Sequence, residues 1–301
     1  MSLPAHHTKH IPLLEARFQS STFSLSQRSD GISNGTALWL GAQVLSSYLA
    51  DALPAPKRSS ETNARQTILE LGSGIGFSAL ALATLGYDVQ ATDTAHVIAS
   101  VLAPNIASNE HRLPHNAGII SVRELDWTVP PDNWNWDHPT AIASTTAEPA
   151  PADPSSTLQH SKSSSSTSGD VNERPYPRLG PPFSAIISAD TLYEPSLVTP
   201  LLRTLHFAAS RSPISSTTTT LRSAPVFLCV ERRDPAVIDA ALDEAVNVWG
   251  FTLERVPRRK LSKALERAGF VGWKGEDWEG MEVWKLVLKG EAFVKAQSAM
   301  R

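Results

Sequence analysis

The 301-residue sequence predicts an α/β fold in which seven mostly parallel strands form one sheet with helices on both faces. Two observations support this prediction. Short runs of β-branched and apolar residues alternate with segments whose apolar residues recur at helical spacing. A glycine-rich turn, residues 72–76, also joins the first of these runs to a helix. Such alternation favours a parallel sheet that is covered on both faces.

The elements follow from this pattern in chain order. A helical pattern at Thr36–Leu53 precedes the sheet, and Pro54 ends it. The predicted strands are Thr67–Leu71, Asp88–Thr92, Ile119–Glu124, Ser184–Ser188, Val226–Val230, Thr252–Val256 and Glu282–Leu288. The predicted helices between them are Phe77–Leu85, Ala95–Ala107 with a bend near Pro104, Ser196–Ala209 and Ala236–Trp249.

Composition sets the predicted domain boundaries. Residues 139–180 are rich in Ser, Thr, Pro and Ala, and such a segment buries too little apolar surface to offset its ordering entropy. We expect a disordered insertion there and a shorter one at 210–223, both within a single domain of residues 31–290. Neither half of that range has enough strands to close a sheet alone. Residues 1–30 are expected to be only partly ordered.

Charge and cysteine content restrict the class of protein. The 27 Lys and Arg against 30 Asp and Glu leave a net charge of -3, which gives no global reason to expect nucleic-acid binding. Cys229 is the single cysteine, so no intramolecular disulfide can form, as suits a reducing compartment. No apolar run is long enough for a signal peptide or a membrane helix. We expect a soluble protein of the cytoplasm or the nucleus, without a membrane partner.

The glycine turn and two carboxylates predict a cofactor site. Gly72, Gly74 and Gly76 follow a strand, where glycine lets a ligand approach the backbone. Glu70 precedes them and would repel a pyrophosphate, but it can attract the cationic amino group of a methionine moiety. Asp93 ends the next strand and can bind ribose hydroxyls. This combination favours S-adenosylmethionine over NAD in a Rossmann-like fold; the alternative is that both carboxylates only cap turns.

Four segments together resemble the seven-β-strand protein-lysine methyltransferases that carry a D-x-x-Y motif, the methyltransferase-like and elongation-factor-methyltransferase type. They span roughly residues 33–290, apart from the two insertions. The segments are G-T-A-L-W (35–39), E-L-G-S-G-I-G (70–76), L-D-W (125–127) and A-D-T-L-Y (189–193). The resemblance implies a single domain with its last strand antiparallel, transfer of methyl groups from S-adenosylmethionine, and a protein substrate, with translation factors among the substrate classes.

The resemblance also implies roles for individual residues. The cofactor would be bound by Trp39, Glu70, Gly72, Gly74, Gly76, Asp93, Asp126, Trp127 and Ala189. Asp190 and Tyr193 would face the acceptor amine as the catalytic pair. Asp190 can orient the amine by a hydrogen bond, and the Tyr193 ring can wall a channel in which desolvation disfavours the ammonium. The alternative for Asp190 is to cap the helix that starts near Pro195.

Other conspicuous residues have simpler explanations. Trp134 and Trp136 are expected to serve packing rather than substrate stacking. His6, His7 and His10 lie near the N-terminus without cysteine or carboxylate partners in the sequence, so we expect no metal. The basic run Arg255–Lys260 is expected to be a solvated face, with contact to an acidic protein substrate as the alternative.

Two other functions remain open on the sequence. A small-molecule N-methyltransferase with a nicotinamide-like acceptor would have the same cofactor half. A non-catalytic protein that keeps the fold to bind partners is the other, although Glu70, Asp93, Asp190 and Tyr193 are all present and argue against it.

Overall fold

The computed structural model describes residues 3–28, 34–56, 65–145, 179–215 and 221–290. Its strands are β1 (Leu13–Phe18), β2 (Ser21–Ser26), β3 (Thr67–Leu71), β4 (Asp88–Asp93), β5 (Ile120–Leu125), β6 (Ala141–Ala143), β7 (Ala185–Ala189), β8 (Pro213–Ser215), β9 (Leu221–Ser223), β10 (Val226–Glu231), β11 (Phe251–Arg255) and β12 (Met281–Leu288). Within the described ranges, no helix is long and apolar enough to cross a membrane.

The helices are α1 (Leu40–Ala52), α2 (Phe77–Thr84), α3 (Ala95–Val97), α4 (Ala103–Asn109), α5 (Pro195–Ser210), α6 (Pro235–Asn247) and α7 (Arg258–Arg267). A π-helical turn, Ile98–Leu102, joins α3 to α4. The predicted bend near Pro104 thus coincides with this turn, since a proline ring displaces the preceding turn of a helix.

The main sheet confirms the predicted fold class. Its order is β11-β12-β10-β7-β3-β4-β5-β6, and every neighbouring pair is parallel except the two that involve β12. The sheet has eight strands rather than the predicted seven. The additional strand, β6, is three residues long, pairs with β5 at the edge, and lies inside the segment predicted to be a disordered insertion. A three-residue strand is too short to give a period-two pattern.

Two hydrophobic layers enclose the sheet. On one face, α1, α2, the π turn and α7 bury residues such as Leu45, Leu80 and Leu265. On the other face, α5 and α6 bury Leu205 and Ala241 against the strands. Because β3 pairs with β4 on one side and β7 on the other, the chain changes direction across the sheet at β3. Open α/β sheets bind ligands outside the carboxyl ends of the strands at such a point.

An N-terminal hairpin of β1 and β2 covers one end of the first layer. Its side chains alternate between buried and exposed along β1, and Phe18 and Phe23 are fully buried. Both rings meet the Phe77 ring edge-on at 6.3 Å between centroids. The alternation was present in the sequence. A two-stranded hairpin, however, depends on packing against helices that lie far along the chain, so its own residues give little indication that it forms. Sequence analysis expected only partial order in residues 1–30.

The bases of the predicted insertions are ordered. Most of the longer insertion lies outside the described residues. The chain segments on either side of it meet at Arg123 of β5, whose buried guanidinium donates to the carbonyls of Trp136, His138 and Leu179. Burial lowers the pKa of Arg123 to about 10, and it remains a cation. Of the shorter insertion, β8 and β9 form an antiparallel pair, and residues 216–220 are outside the described ranges.

Candidate active site

A cavity of about 460 Å³ opens at the carboxyl ends of β3, β4, β5, β7 and β10. It brings together most of the site residues predicted from the sequence. The predicted residues that line it are Trp39, Gly72, Gly74, Asp93, Asp126, Trp127, Ala189, Asp190 and Tyr193. Their separation in sequence shows that the sheet, and not any local motif, assembles the site.

The glycine loop forms one wall through its backbone. Gly72 and Gly74 both have positive φ, 72° and 54°, which L side chains rarely adopt. A Cβ on Gly72 would also lie 2.8 Å from Cγ2 of Thr191 and would project beside the Trp127 ring. The loop therefore requires glycine for conformation and for space.

Asp93 is tied to the glycine loop. One of its carboxylate oxygens accepts a hydrogen bond from the Gly74 N–H at 2.9 Å, and the other accepts from the Thr94 N–H at 2.8 Å. Burial raises its pKa to about 6, although these N–H donors favour the ionised form. Asp93 thus does cap a turn, as the alternative interpretation held, and it also lines the cavity.

Glu70 lies beneath the cavity rather than on its wall, and its predicted contact with the cofactor stays a prediction. Its side chain is on the α2 face of β3, beside the hydroxyls of Ser73 and Ser78, because residues alternate faces along a strand and Leu69 and Leu71 face the other layer. Burial raises its pKa to about 7. Its Oε2 atom has no hydrogen-bond partner among the described residues.

Gly76 also stands outside the cavity wall. It is the residue before α2, with φ of 88°, and a Cβ there would lie 3.0 Å from side-chain carbons of Leu102 and Ile106. Gly76 therefore serves helix packing, and its predicted contact with the cofactor stays a prediction. Residue 76 lets α2 approach the π turn and α4 closely.

Asp126 and Trp127 form the wall that follows β5. Asp126 accepts hydrogen bonds from the hydroxyls of Thr128 at 2.6 Å and Thr145 at 2.9 Å. Arg203 of α5 donates to the Trp127 carbonyl at 2.7 Å and so holds this loop against the sheet. The indole N–H of Trp127 is buried and has no acceptor within the described part of the chain.

Asp190 is held by the first turn of α1. Its Oδ2 accepts a hydrogen bond from the Gly41 N–H at 2.7 Å, and the Ala42 N–H contributes a second one. The structure thus assigns it a capping contact, but with α1 rather than the helix near Pro195. Glu194 caps that helix instead, through the Ser196 N–H.

Asp190 also has an unusual backbone and charge state. Its φ is 57°, a left-handed conformation that costs a non-glycine residue roughly 1–2 kcal/mol. Burial raises its pKa to about 7, and Glu231 raises it further, against the opposing hydrogen bond from Gly41. A strained, buried carboxyl that lines a cavity is typical of a functional site.

The acceptor side of the cavity includes residues that sequence reasoning missed. Glu231, Arg233 and Asp234 follow β10 and line the cavity beside Asp190. The charged sequence V-E-R-R-D at 230–234 was conspicuous, but the turn after the strand decides which of its side chains face the cavity. The one feature that could have indicated a site was its position at the carboxyl end of a parallel strand. Tyr193 lies at the opening, with 55% of its surface exposed.

The residues present fit S-adenosylmethionine. The glycine backbone, the Asp93 carboxylate and the Trp127 ring with its unpartnered N–H offer surfaces for a methionine moiety, a ribose and an adenine. The buried acidic groups suit a cationic ligand and disfavour a pyrophosphate. Fold and site together are typical of the class of proteins that bind S-adenosylmethionine.

Comparison with known proteins agrees with that class. Residues 17–140 match the family model described as lysine methyltransferase, which is less than half of the chain. The match contains β2, α1, the glycine loop, Asp93, Asp126 and Trp127. It confirms the resemblance noted from the sequence and S-adenosylmethionine as the cofactor.

Two curated relatives extend the comparison. The chain is 31% identical to methyltransferase-like protein 22 of Mus musculus over 93 residues, 31% of this chain and 22% of that protein. It is 33% identical to the protein of the same name in Homo sapiens over 93 residues, 31% of this chain and 21% of that protein. The chain thus spans about a fifth of the length of the curated relatives it matches.

Solved structures resemble this chain only distantly. Magnesium protoporphyrin IX methyltransferase of Synechocystis, with bound S-adenosylhomocysteine, is 10% identical with a TM-score of 0.40, and the match covers 82% of each chain. The tRNA (uracil-54, C5)-methyltransferase of Pyrococcus abyssi is 10% identical with a TM-score of 0.41, over 92% of this chain and 44% of that one. Similarity at this level does not identify an acceptor.

One metal-ligating cluster occurs in the described residues, away from the cavity. Ligand atoms of His6, His7 and Asp277 lie within 4.8 Å of one another, so the structure supplies the carboxylate that the sequence did not suggest. One Asp277 oxygen already accepts the Lys274 N–H at 2.6 Å. Both histidines are exposed and Asp277 is partly buried, so the three side chains lie at the surface of the protein.

Proposed function

We propose that this protein is an S-adenosylmethionine-dependent methyltransferase that methylates a lysine side chain of a protein substrate. One observation carries the proposal: a single cavity joins the glycine loop and Asp93 to Asp190 and Tyr193. The family model that residues 17–140 match, described as lysine methyltransferase, supports the acceptor class. The D-x-x-Y motif lies outside that match and supports it independently.

The cofactor would be held by the glycine loop, Asp93 and Trp127, and when bound it supplies an electrophilic methyl group on a sulfonium sulfur. Gly72 and Gly74 expose backbone to the ligand, and Asp93 accepts hydrogen bonds from hydroxyl groups. Because Asp93 is already fixed by the Gly74 and Thr94 N–H groups, its carboxylate needs little reorganisation on binding.

The acceptor amine must be neutral and aligned with the methyl carbon. A lysine ammonium has an unperturbed pKa of about 10.4, so a proton has to leave before transfer. Burial in a channel favours the neutral amine. Asp190 can take a hydrogen bond from the amine while α1 fixes its orientation, and its pKa of about 7 lets it hold a proton near neutral pH. Tyr193 restricts the channel at its opening.

The substrate is proposed to be a protein of the cytoplasm or the nucleus, with translation factors as the class that the resemblance implies. Arg258, Arg259 and Lys260 lie at the start of α7, and their exposure allows contact with an acidic substrate. Neither a nucleic acid nor a membrane is part of the proposal. Burial of Cys229 suits a protein whose thiol stays reduced.

The decisive experiment adds the purified protein and radiolabelled S-adenosylmethionine to an extract of cells that lack it. A labelled protein band is expected, and amino-acid analysis should find the label as methyl-lysine. Asp190→Ala should remove the band, whereas Asp132→Asn, at an exposed carboxylate of a different loop, should leave it unchanged. Label found only in small molecules would contradict a protein substrate.

Calorimetry tests the cofactor step separately. Asp93→Asn should weaken S-adenosylmethionine binding by about ten- to a hundredfold, since a hydrogen bond to a charged group contributes about 1.5–3 kcal/mol. Asp132→Asn again serves as the control. Unchanged affinity in Asp93→Asn would refute this position for the ribose, and no binding by the wild-type chain would refute the methyltransferase proposal as a whole.

A further inference from the structure

The chain places one of its own lysines at the acceptor side of the cavity. The Lys9 ammonium nitrogen lies 3.2 Å from the centroid of the Trp39 ring, well within the range of a cation–π contact. Trp39 lines the cavity together with Asp190 and Tyr193, and it directly precedes α1, whose first turn holds Asp190. The Lys9 side chain therefore lies at the mouth of the proposed acceptor channel.

The backbone on both sides of Lys9 is fixed. The Gln27 side-chain amide donates to the carbonyls of Thr8 at 2.9 Å and Ile11 at 2.8 Å, and so brackets the turn that carries Lys9. The Ala5 N–H donates to the Gln43 side chain of α1 at 2.9 Å. Ala5 and Thr8 are both buried. Lys9 is thus presented by an anchored turn rather than by a loose terminus.

The charges around Lys9 match those that an acceptor lysine requires. Asp190 and Glu231 attract its ammonium group, while burial, as the largest effect, and Arg233 lower its pKa. Arg233 also lies 4.9 Å from the Trp39 ring. Two acidic groups hold the amine near the cavity, and partial desolvation with a neighbouring cation favours its neutral form.

From these contacts we propose that Lys9 is a methyl acceptor of its own active site. The inference rests on the proposed function and deepens it, because it names a modification site and a recognition surface, the Trp39 ring. The neutral Lys9 Nζ forms a bond to the methyl carbon while the bond from that carbon to the sulfonium sulfur breaks, and the sulfur keeps the electron pair. The proton that leaves the ammonium passes to Asp190 or to solvent, and the products are N-methyl-lysine and S-adenosylhomocysteine.

The test incubates the purified full-length protein with S-adenosylmethionine and follows each lysine by tandem mass spectrometry. Methylation of Lys9 is expected, and its rate per molecule should not change on dilution because donor and acceptor belong to one chain. Lys9→Arg retains the cation on Trp39 but removes the amine nucleophile, so label should disappear from this peptide. Lys263→Arg, on an exposed lysine of α7, is the matched control and should keep Lys9 methylation.

The outcomes separate this inference from the proposed function. If an extract protein is labelled while Lys9 stays unmodified, the inference is overturned and the function stands. A rate proportional to protein concentration would also overturn it, since the acceptor would then belong to another molecule. Failure to bind S-adenosylmethionine would overturn both. At S-adenosylmethionine concentrations below saturation, Asp93→Asn should slow Lys9 methylation in proportion to its weaker cofactor binding, and an unchanged rate there would place the modification outside this site.

Discussion

Asp190 combines a strained backbone and a desolvated carboxyl with a position on the cavity wall. Its left-handed backbone is tolerated because Gly41 and Ala42 of α1 donate to its carboxylate from the start of a helix, where N–H groups lack partners within the helix. The sequence singled out Asp190 as catalytic but could not reveal this contact, because Gly41 lies 149 residues earlier in the chain. The same carboxylate both stabilises α1 and lines the cavity.

Gly41→Ala tests this arrangement. Alanine ordinarily favours a helix by about 1 kcal/mol over glycine. Here its Cβ would lie 2.4 Å from Oδ2 of Asp190, so the carboxylate would have to move. We expect the rate of methyl transfer to fall while the S-adenosylmethionine affinity changes little, as measured by the labelling assay and by calorimetry.

Gly275→Ala is the control for that substitution, because its Cβ would meet only Arg258 Nη2 at 3.5 Å. Equal transfer rates for Gly41→Ala and the wild type would show that the position of Asp190 does not matter to catalysis. A loss of cofactor affinity as large as the loss of rate would instead indicate a disturbed fold around the glycine loop.

At the scale of elements, two asparagines attach the N-terminal hairpin to helix α4. Asn105 accepts from the Ser26 N–H at 2.8 Å and donates to the Ser26 carbonyl at 3.0 Å. Asn109, one turn later, makes the same pair of bonds with Ser24 at 2.9 and 2.8 Å. Their amides thus form the hydrogen bonds that a neighbouring strand would otherwise form with the unpaired edge of β2.

Asn105→Ala should destabilise the protein and loosen the glycine loop. Its amide also donates to the Ile75 carbonyl at 3.0 Å, so three hydrogen bonds, one of them buried and two part-buried, are lost. We expect a decrease of about 2–4 kcal/mol in the free energy of unfolding, measured in urea, since each bond contributes about 1 kcal/mol and stranded partners add to the cost.

The exposed Asn116 provides the comparison, and Asn116→Ala should change stability by less than about 0.5 kcal/mol. A similar small effect of Asn105→Ala would mean that the hairpin is held by its phenylalanines alone. The glycine loop would then not depend on the N-terminal segment.

At the scale of the whole molecule, burial raises the pKa values of three carboxyl groups that lie in the cavity or beneath it. The pKa values of Glu70 and Asp190 are raised to about 7 and that of Asp93 to about 6. A folded chain with raised carboxyl pKa values binds more protons than the unfolded chain. The contribution of these groups to stability is therefore present below their unfolded pKa, near 4, and is lost as the pH rises through 7.

We expect the thermal midpoint of the cofactor-free protein to decrease between about pH 5 and pH 8 because of these groups. Glu70→Gln removes the most deeply buried of these three carboxyls, so it should flatten that decrease and reduce the pH-dependent loss of stability by on the order of 2 kcal/mol across the window. Exposed Glu279, replaced by Gln, is the control. Parallel pH profiles for wild type and Glu70→Gln, measured by scanning calorimetry, would contradict the assignment.

The fold and the cofactor half of the site were predictable because their signals are local. The glycine loop, the strand ends at Asp93 and Ala189, and the alternation of strands and helices each lie within a short window of sequence. Most predicted element boundaries agree with the structure to within a residue or two. Glu70 and Gly76 lie outside the cavity wall, which the motif could not indicate, since it does not tell on which side of a strand or helix its members project.

By itself, the sequence determined the α/β class, S-adenosylmethionine as the cofactor, and the identity of the residues around the glycine loop and the D-x-x-Y motif. Only the tertiary structure decided which of them share one cavity, that α1 holds Asp190, and that Lys9 lies on Trp39 beside the acceptor side. The physical reason is distance along the chain. Periodicity and turn chemistry act over a few residues, whereas these contacts join segments that meet only when the sheet has formed.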